Sequence, residues 1–181
     1  AETAMQNGQR IGLVGACVSD YPWIDELIAA LRAKGADISL SSVRADSLSP
    51  GLVQGLIDSG TQTLTIAPEA GTERLRRSIN KEIRDDDVLK TAEWIFANGW
   101  QTLKLYFMVG LPGETAEDVR AIGTLAARVA AIARRHGKRN SVTVSVSAFV
   151  PKPHTPFQWE RQLCREEVIE RVNLLRDALG R

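Results

Sequence analysis

The chain has 181 residues, 44% hydrophobic and 25% charged, with a formal net charge of +1. That length and apolar content suit one folded domain with a buried core and exclude a disordered chain; the near-neutral balance excludes the overall basic footprint of a dedicated nucleic-acid binder, though not a local basic patch. Charge interrupts the apolar runs well short of a membrane span, even in LAARVAAIARR with Arg128, Arg134 and Arg135, and no signal peptide is visible.

Strands and helices alternate along the chain. Residues 10–16 (RIGLVGA) read as a short apolar strand. A helix over 22–34 follows, with Trp23, Ile24, Leu27, Ile28 and Leu31 at helical spacing and Gly35 ending it. Residues 38–43 form the next strand, and Ser49 before Pro50 marks an N-cap with proline in the first helical turn, opening a helix through Ile57. A third strand covers 62–67, then a short helix over 72–78 and a longer one over 86–98, whose acidic start (Asp85, Asp86, Asp87) suits the helix dipole. The fourth strand is 102–109, followed by a long helix over 116–136, a fifth strand over 142–149 and a closing helix over 166–179. Cys17 and Cys164 form no CxxC pair, so neither a structural zinc site nor a disulfide framework is expected, and a reducing cytoplasm is the simplest setting.

Five βα units in series imply an α/β fold: a parallel sheet with helices outside, expected to form a single domain over 1–181. An open doubly wound sheet and a partial TIM-type (β/α) barrel both fit. The barrel is favoured because polar residues recur after every strand (Ser19 and Asp20, Arg44 and Asp46, Glu69, Glu114, Lys152 and His154), and no GxGxxG turn marks a single switch point. TLKLYFMVGLPGET and SVTVSVSAFVPKPHTPFQW both run from β-rich sequence into Gly/Pro turns, so the site is expected at the C-terminal strand ends.

The run IAPEAGTERLRRSINKEI (66–83), followed by LYFMVGLPGETAEDV (105–119), closely resembles strands four and five of the radical S-adenosylmethionine (SAM) superfamily. SAFVPKPHTPFQW (147–159) resembles the sixth-strand segment of its methylthiotransferase, cobalamin-associated and related branches. The resemblance covers about residues 10–160. It implies a six-unit partial barrel in which three cysteines of a CxxxCxxC loop after strand one hold a [4Fe-4S] cluster. The cluster binds SAM and reduces it to methionine and a 5′-deoxyadenosyl radical, which takes hydrogen from a substrate. The chain departs from that pattern: it has no CxxxCxxC, and its first strand matches the barrel's second. It is therefore read as strands two to six excised from a longer enzyme, with cluster ligands upstream, no catalytic or metal-binding residue of its own and no activity alone. Natural loss of the cluster loop is the alternative.

Further expectations follow from the resemblance. Glu69 in APEAG matches a position that approaches the ribose or methionyl part of SAM; its plainer role is to cap the helix near Thr72. Lys81 falls where relatives place a cation on the SAM carboxylate, although a solvated lysine would look the same. Arg44 sits where relatives carry a charge facing SAM, with Asp46 as a competing partner. Tyr106 matches a ribose-binding position or is simply a packed aromatic. Ser19 and Asp20 occupy the place of a GGE-type segment for the SAM amino group, although GACVSD is not GGE. Val109, Gly110 and Leu111, with Ala148 and Val150, match segments that hold adenine through the backbone, where glycine permits close approach. His154 is a candidate substrate contact, or a solvated loop residue.

For the longer enzyme the resemblance implies SAM and a [4Fe-4S] cluster as cofactors, a flavodoxin or ferredoxin as reductant and an unknown substrate, with nucleic acid entering only as substrate. The competing reading is a non-catalytic α/β module binding a nucleotide-like ligand. A hydrolase or aldolase is weakened by the lack of a metal-ligand cluster, a GxSxG elbow or a recognisable Schiff-base lysine.

Overall fold

Residues 9–15, 18–40 and 48–180 are described by a computed structural model; Cys17, Arg44 and Asp46 lie outside the described residues. The chain forms β1 (Arg10–Leu13), a 3-10 turn (Val18–Asp20), α1 (Ile24–Ala33), β2 (Asp37–Leu40), α2 (Pro50–Asp58) and β3 (Thr63–Glu69). It continues through α3 (Glu73–Ser78), α4 (Asp85–Ala97), β4 (Thr102–Val109), α5 (Ala116–His136), β5 (Ser141–Ala148) and α6 (Arg165–Ala178). This is the expected alternation, with boundaries displaced by a few residues. β3 runs past Ala67 to Glu69 because Pro68, lacking an N–H, does not break the strand; its register to β4 slips between Ile66 and Glu69 instead.

All described strand pairs are parallel, but hydrogen bonding forms two ladders, β1–β2 and β3–β4–β5, with no closed barrel. The single sheet expected from the sequence is thus interrupted. One cause is visible at β2: the Asp37 N–H bonds Gln9 on the β1 side, whereas the Ile38 N–H bonds the Ser59 Oγ at 2.9 Å. Ser59 also accepts Arg10 on its carbonyl at 2.7 Å, and Arg32 bonds Asp37 at 2.6 Å. This end of β2 is therefore satisfied by side chains rather than by another strand.

The two ladders share one core, in which Ile28, Ile38 and Leu56 join Ile66, Leu105, Ile95 and Ile122. On β4, burial alternates strictly: Leu103, Leu105, Phe107 and Val109 are buried, and the residues between them only half so. The buried set packs with α4 and α5, whose apolar residues (Val88, Ala92, Ile95; Val119, Ile122, Val129) recur at helical spacing. The opposite sheet face carries the polar residues. A 21-residue α5 is long enough to cross a membrane but too charged, and no described helix qualifies as a span.

Capping fixes where several helices begin. Ser49 caps α2, and Asp25 of α1 also accepts the Leu52 N–H at 3.0 Å. Thr72 caps α3, and Thr115 with Asp118 forms a reciprocal capping box on α5. Arg76 of α3, fully buried, pairs with Asp85 at the start of α4, which also takes Arg128 of α5 at 2.8 Å. Burial pulls the Arg76 guanidinium below its usual range, and Asp85 opposes that shift.

Candidate functional site

Glu69 ends β3 with φ at 71°, a left-handed conformation that a residue with a Cβ adopts at a cost of about 1–2 kcal/mol. Its carboxylate is bridged by Lys81 at 2.9 Å, and both side chains remain partly exposed, at 21% and 25%. Glu69 and Lys81, expected separately as cofactor contacts, therefore meet as one ion pair at the strand end. Glu69 does not cap α3, because Thr72 accepts the Leu75 N–H itself.

The next strand end is the Gly110–Glu114 turn. Gly110, at φ 84°, packs against Leu163, and a Cβ there would lie 2.8 Å from that side chain. Its N–H is held by both oxygens of Glu114, at 2.9 and 3.0 Å. Glu114 is only 4% exposed and takes Arg171 Nε of α6 at 3.2 Å. Burial raises the Glu114 pKa, and the Gly110 N–H and Arg171 offset this only in part. The Val109 carbonyl already accepts the Phe149 N–H, and the Leu111 carbonyl accepts that of Glu114. The Gly110 carbonyl and Leu111 N–H, like the Pro112 carbonyl and Gly113 N–H, have no protein partner among the described residues. A cleft of about 250 Å³ opens over the turn, lined also by Glu160, Arg161 and Leu163.

Val109 and Ala148 are register partners, so the two segments expected to hold adenine lie side by side; Val150, just beyond, is half exposed. Tyr106 donates to Ser147 at 2.8 Å across the same pair of strands. The loops after β3 and β4 are joined by Asp118, which accepts from Thr72, Thr115 and Arg74. Burial opposes ionisation of Asp118, but those hydrogen bonds together outweigh it and lower its pKa. The backbones also touch: a Cβ on Gly71 would lie 2.1 Å from the Asp118 carbonyl oxygen and 2.6 Å from the Ile122 nitrogen.

Of the other expected contacts, Ser19 is buried in the 3-10 turn and Asp20 is exposed; Arg44 lies outside the described residues. His154 adopts φ 61° and stays exposed, its N–H bonded to Gln158. Sequence reasoning passed over three positions. Glu114 entered only as one of the polar residues that follow the strands, although its spacing from Gly110 in GLPGE brings it back onto that N–H. Arg171 carries no local signal, since its partner is 57 residues away. Lys104 was overlooked, although the alternation in LKLYFMV puts it on the same face as Tyr106.

The donor set fits SAM in kind. A carboxylate at the β3 end accepts from hydroxyl or ammonium groups, and two adjacent strand ends offer backbone to a flat ring. It does not fit an iron–sulfur cluster. Among the described residues no group of three His, Cys, Asp or Glu side chains is placed to hold a metal, and Cys164 stands exposed before α6.

The family profile of the radical SAM superfamily matches residues 2–126. The chain is 42% identical over 151 residues to an uncharacterized protein, MJ0966, of Methanocaldococcus jannaschii, a match covering 83% of this chain and 32% of that protein. The chain thus spans about a third of the length of this curated relative. Its fold is similar to that of coproporphyrinogen III oxidase (HemN) of Escherichia coli, described as a radical SAM enzyme (TM-score 0.63, 17% identity, 96% of this chain and 39% of that one). It is also similar to a domain of a pyruvate-formate lyase-activating enzyme of Bacteroides vulgatus (TM-score 0.56, 10% identity, 94% and 95% covered). The strand-end motifs, the partial parallel barrel and these matches converge: the chain belongs to the radical SAM superfamily.

Proposed function

We propose that this chain supplies the SAM-holding strand ends of a radical SAM enzyme, whose CxxxCxxC cluster loop is not among its residues. Bound to a reduced cluster, SAM supplies a 5′-deoxyadenosyl radical for hydrogen abstraction. This chain's part is to position SAM. Glu69 accepts from the ribose hydroxyls or the methionyl ammonium. Lys81 holds Glu69 in place and turns to the SAM carboxylate when SAM is bound. The adenine lies along Gly110, Leu111 and the Ala148–Val150 segment, whose spacing is set by the β4–β5 register.

The observation that carries this reading is Glu69. A carboxylate held in a left-handed conformation at a strand end, partly exposed and braced by a lysine, is strained for something other than packing. The substrate is unknown, and the reductant is expected to be a small flavodoxin- or ferredoxin-like protein.

The test uses the natural protein that carries this segment together with its cluster loop, reconstituted anaerobically with iron and sulfide, reduced with dithionite and given SAM. 5′-Deoxyadenosine measured by mass spectrometry is expected, and expected to fall about tenfold or more in Glu69→Ala. Its absence despite a spectroscopically intact cluster would overturn the reading in favour of a non-catalytic ligand-binding module.

A further inference from the structure

Between the starts of β3–β5 and the slip after Ile66, the sheet face turned away from the helices carries one charged residue among those described, Lys104 of β4. Register places Thr65 of β3 on one side of it and Thr143 of β5 on the other. In a parallel sheet, register partners project to the same face. One level thus presents hydroxyl, ammonium and hydroxyl across three strands, spanning about 10 Å at the usual strand spacing.

Elsewhere on this face Thr102 bonds Ser141 at 3.1 Å and Tyr106 bonds Ser147 at 2.8 Å, while Thr63 and Ser145 have no hydrogen-bond partner among the described residues. Lys104, Thr65 and Thr143 have no hydrogen-bond or ion-pair partner among the described residues. Lys104 is half exposed and has no carboxylate partner among the described residues.

From this row we infer a subsite for an oxyanion, a carboxylate or phosphate group, at the end of the substrate remote from the reacting carbon. Lys104 and one neighbouring hydroxyl, that of the exposed Thr143, offer donors to two oxygens of one anion, with the charge making the bond to the ammonium the strong one; Thr65, on the far side of β4, is too distant from Thr143 to share the same anion. Lys104 lies five residues before Val109, so its backbone is about 16 Å below the strand ends where SAM is placed. That separation makes the anion an anchor and leaves the reacting carbon near the rim; binding energy from a remote group then serves to hold the reacting part in position. The inference rests on the reading of this face as the reaction chamber of a SAM-cleaving enzyme.

The test is a titration of the chain with its lysines converted to their ¹³C-dimethyl forms, which keep their charge. Inorganic phosphate and succinate are added in turn, with sodium chloride at matched ionic strength as the control. The methyl resonance missing in Lys104→Gln is expected to shift saturably with phosphate, succinate or both, but not with chloride. A response to phosphate alone identifies a phosphoryl ligand, and one to succinate alone a carboxylate. Thr143→Val is expected to weaken that binding about tenfold, the value of one hydrogen bond to a charged group, and Thr143→Ser to retain it. A Lys104 resonance that does not move, moves only as it does in chloride, or titrates identically in Thr143→Val would overturn the inference. The titration needs neither SAM nor a cluster, so its failure leaves the SAM-cleavage reading standing. Failure of SAM cleavage, conversely, leaves an observed anion site in place.

Discussion

Glu114 shows how one buried carboxylate makes the Gly110–Glu114 turn sensitive to pH. Burial disfavours its ionised form and raises its pKa above the ordinary 4.5, with the Gly110 N–H and Arg171 opposing. A carboxyl that binds its proton more tightly when folded stabilises most below its unfolded pKa, and that contribution is lost as pH rises through the raised value. Urea midpoints measured against pH should therefore fall from pH 4.5 upward in the wild type and lie flatter in Glu114→Gln. Asp118 acts in the opposite window: its pKa is lowered from 3.8, so its contribution is present above that value and lost as pH falls through the lowered one. Glu69 and Lys81 were legible as motif positions. Their pairing was not, because it depends on how the turn after α3 brings Lys81 back to the strand end. Lys104 was missed because a lysine in a strand looks like any solvated lysine until its register neighbours are known.

At the scale of elements, the loops after β3 and β4 act as one unit. Gly71 lies against the backbone of α5, and Asp118 ties Thr72 and Arg74 to Thr115. Gly71→Ala is expected to cost about 3 kcal/mol, since the Cβ meets backbone that cannot step aside. Asp118→Ala is expected to cost about 1–2 kcal/mol by removing the acceptor shared by Thr72, Thr115 and Arg74, donors that water can still reach. Denaturant melts check both, and in both variants hydrogen exchange should speed first at the Gly110–Glu114 turn. The cap formed by Thr115 and Asp118 is legible in sequence, because that signal spans four residues. The reach of Asp118 to Thr72, 46 residues away, required the fold. Helix and strand order was legible throughout, since periodicity and the capping residues agree at each step. The bulge near Pro68 was not, because a proline at a strand end reads equally as a stop.

For the whole molecule, the lesson concerns the division of the sheet. Five βα units predicted one parallel sheet, and the core is indeed continuous, but the β2 edge is satisfied by Ser59 and the hydrogen bonding divides. α6 closes the other end through Arg171 on Glu114 and through Ala178, whose backbone packs on Gly123 of α5. Gly123→Ala would set its Cβ 2.7 Å from the Ala178 carbonyl oxygen. It is expected to loosen α6, seen as faster hydrogen exchange over 165–178 with β3 and β4 protected as before. The motifs that carry the resemblance, in residues 66–83, 105–119 and 147–159, all lie at or beside the C-terminal ends of β3–β5, where the structure brings Glu69, Gly110 and Ala148 to neighbouring strand ends. The measurement that bears most directly on the central claim, that these strand ends hold SAM, is SAM affinity by equilibrium binding to this chain, wild type against Glu69→Ala. The account predicts measurable binding to the wild type, weakened about tenfold by the loss of one charged contact, with the thermal midpoint little changed, because Ala keeps the Cβ and its left-handed backbone and loses only a partly exposed ion pair. Equal affinity in the two proteins, or no binding to either, would contradict it.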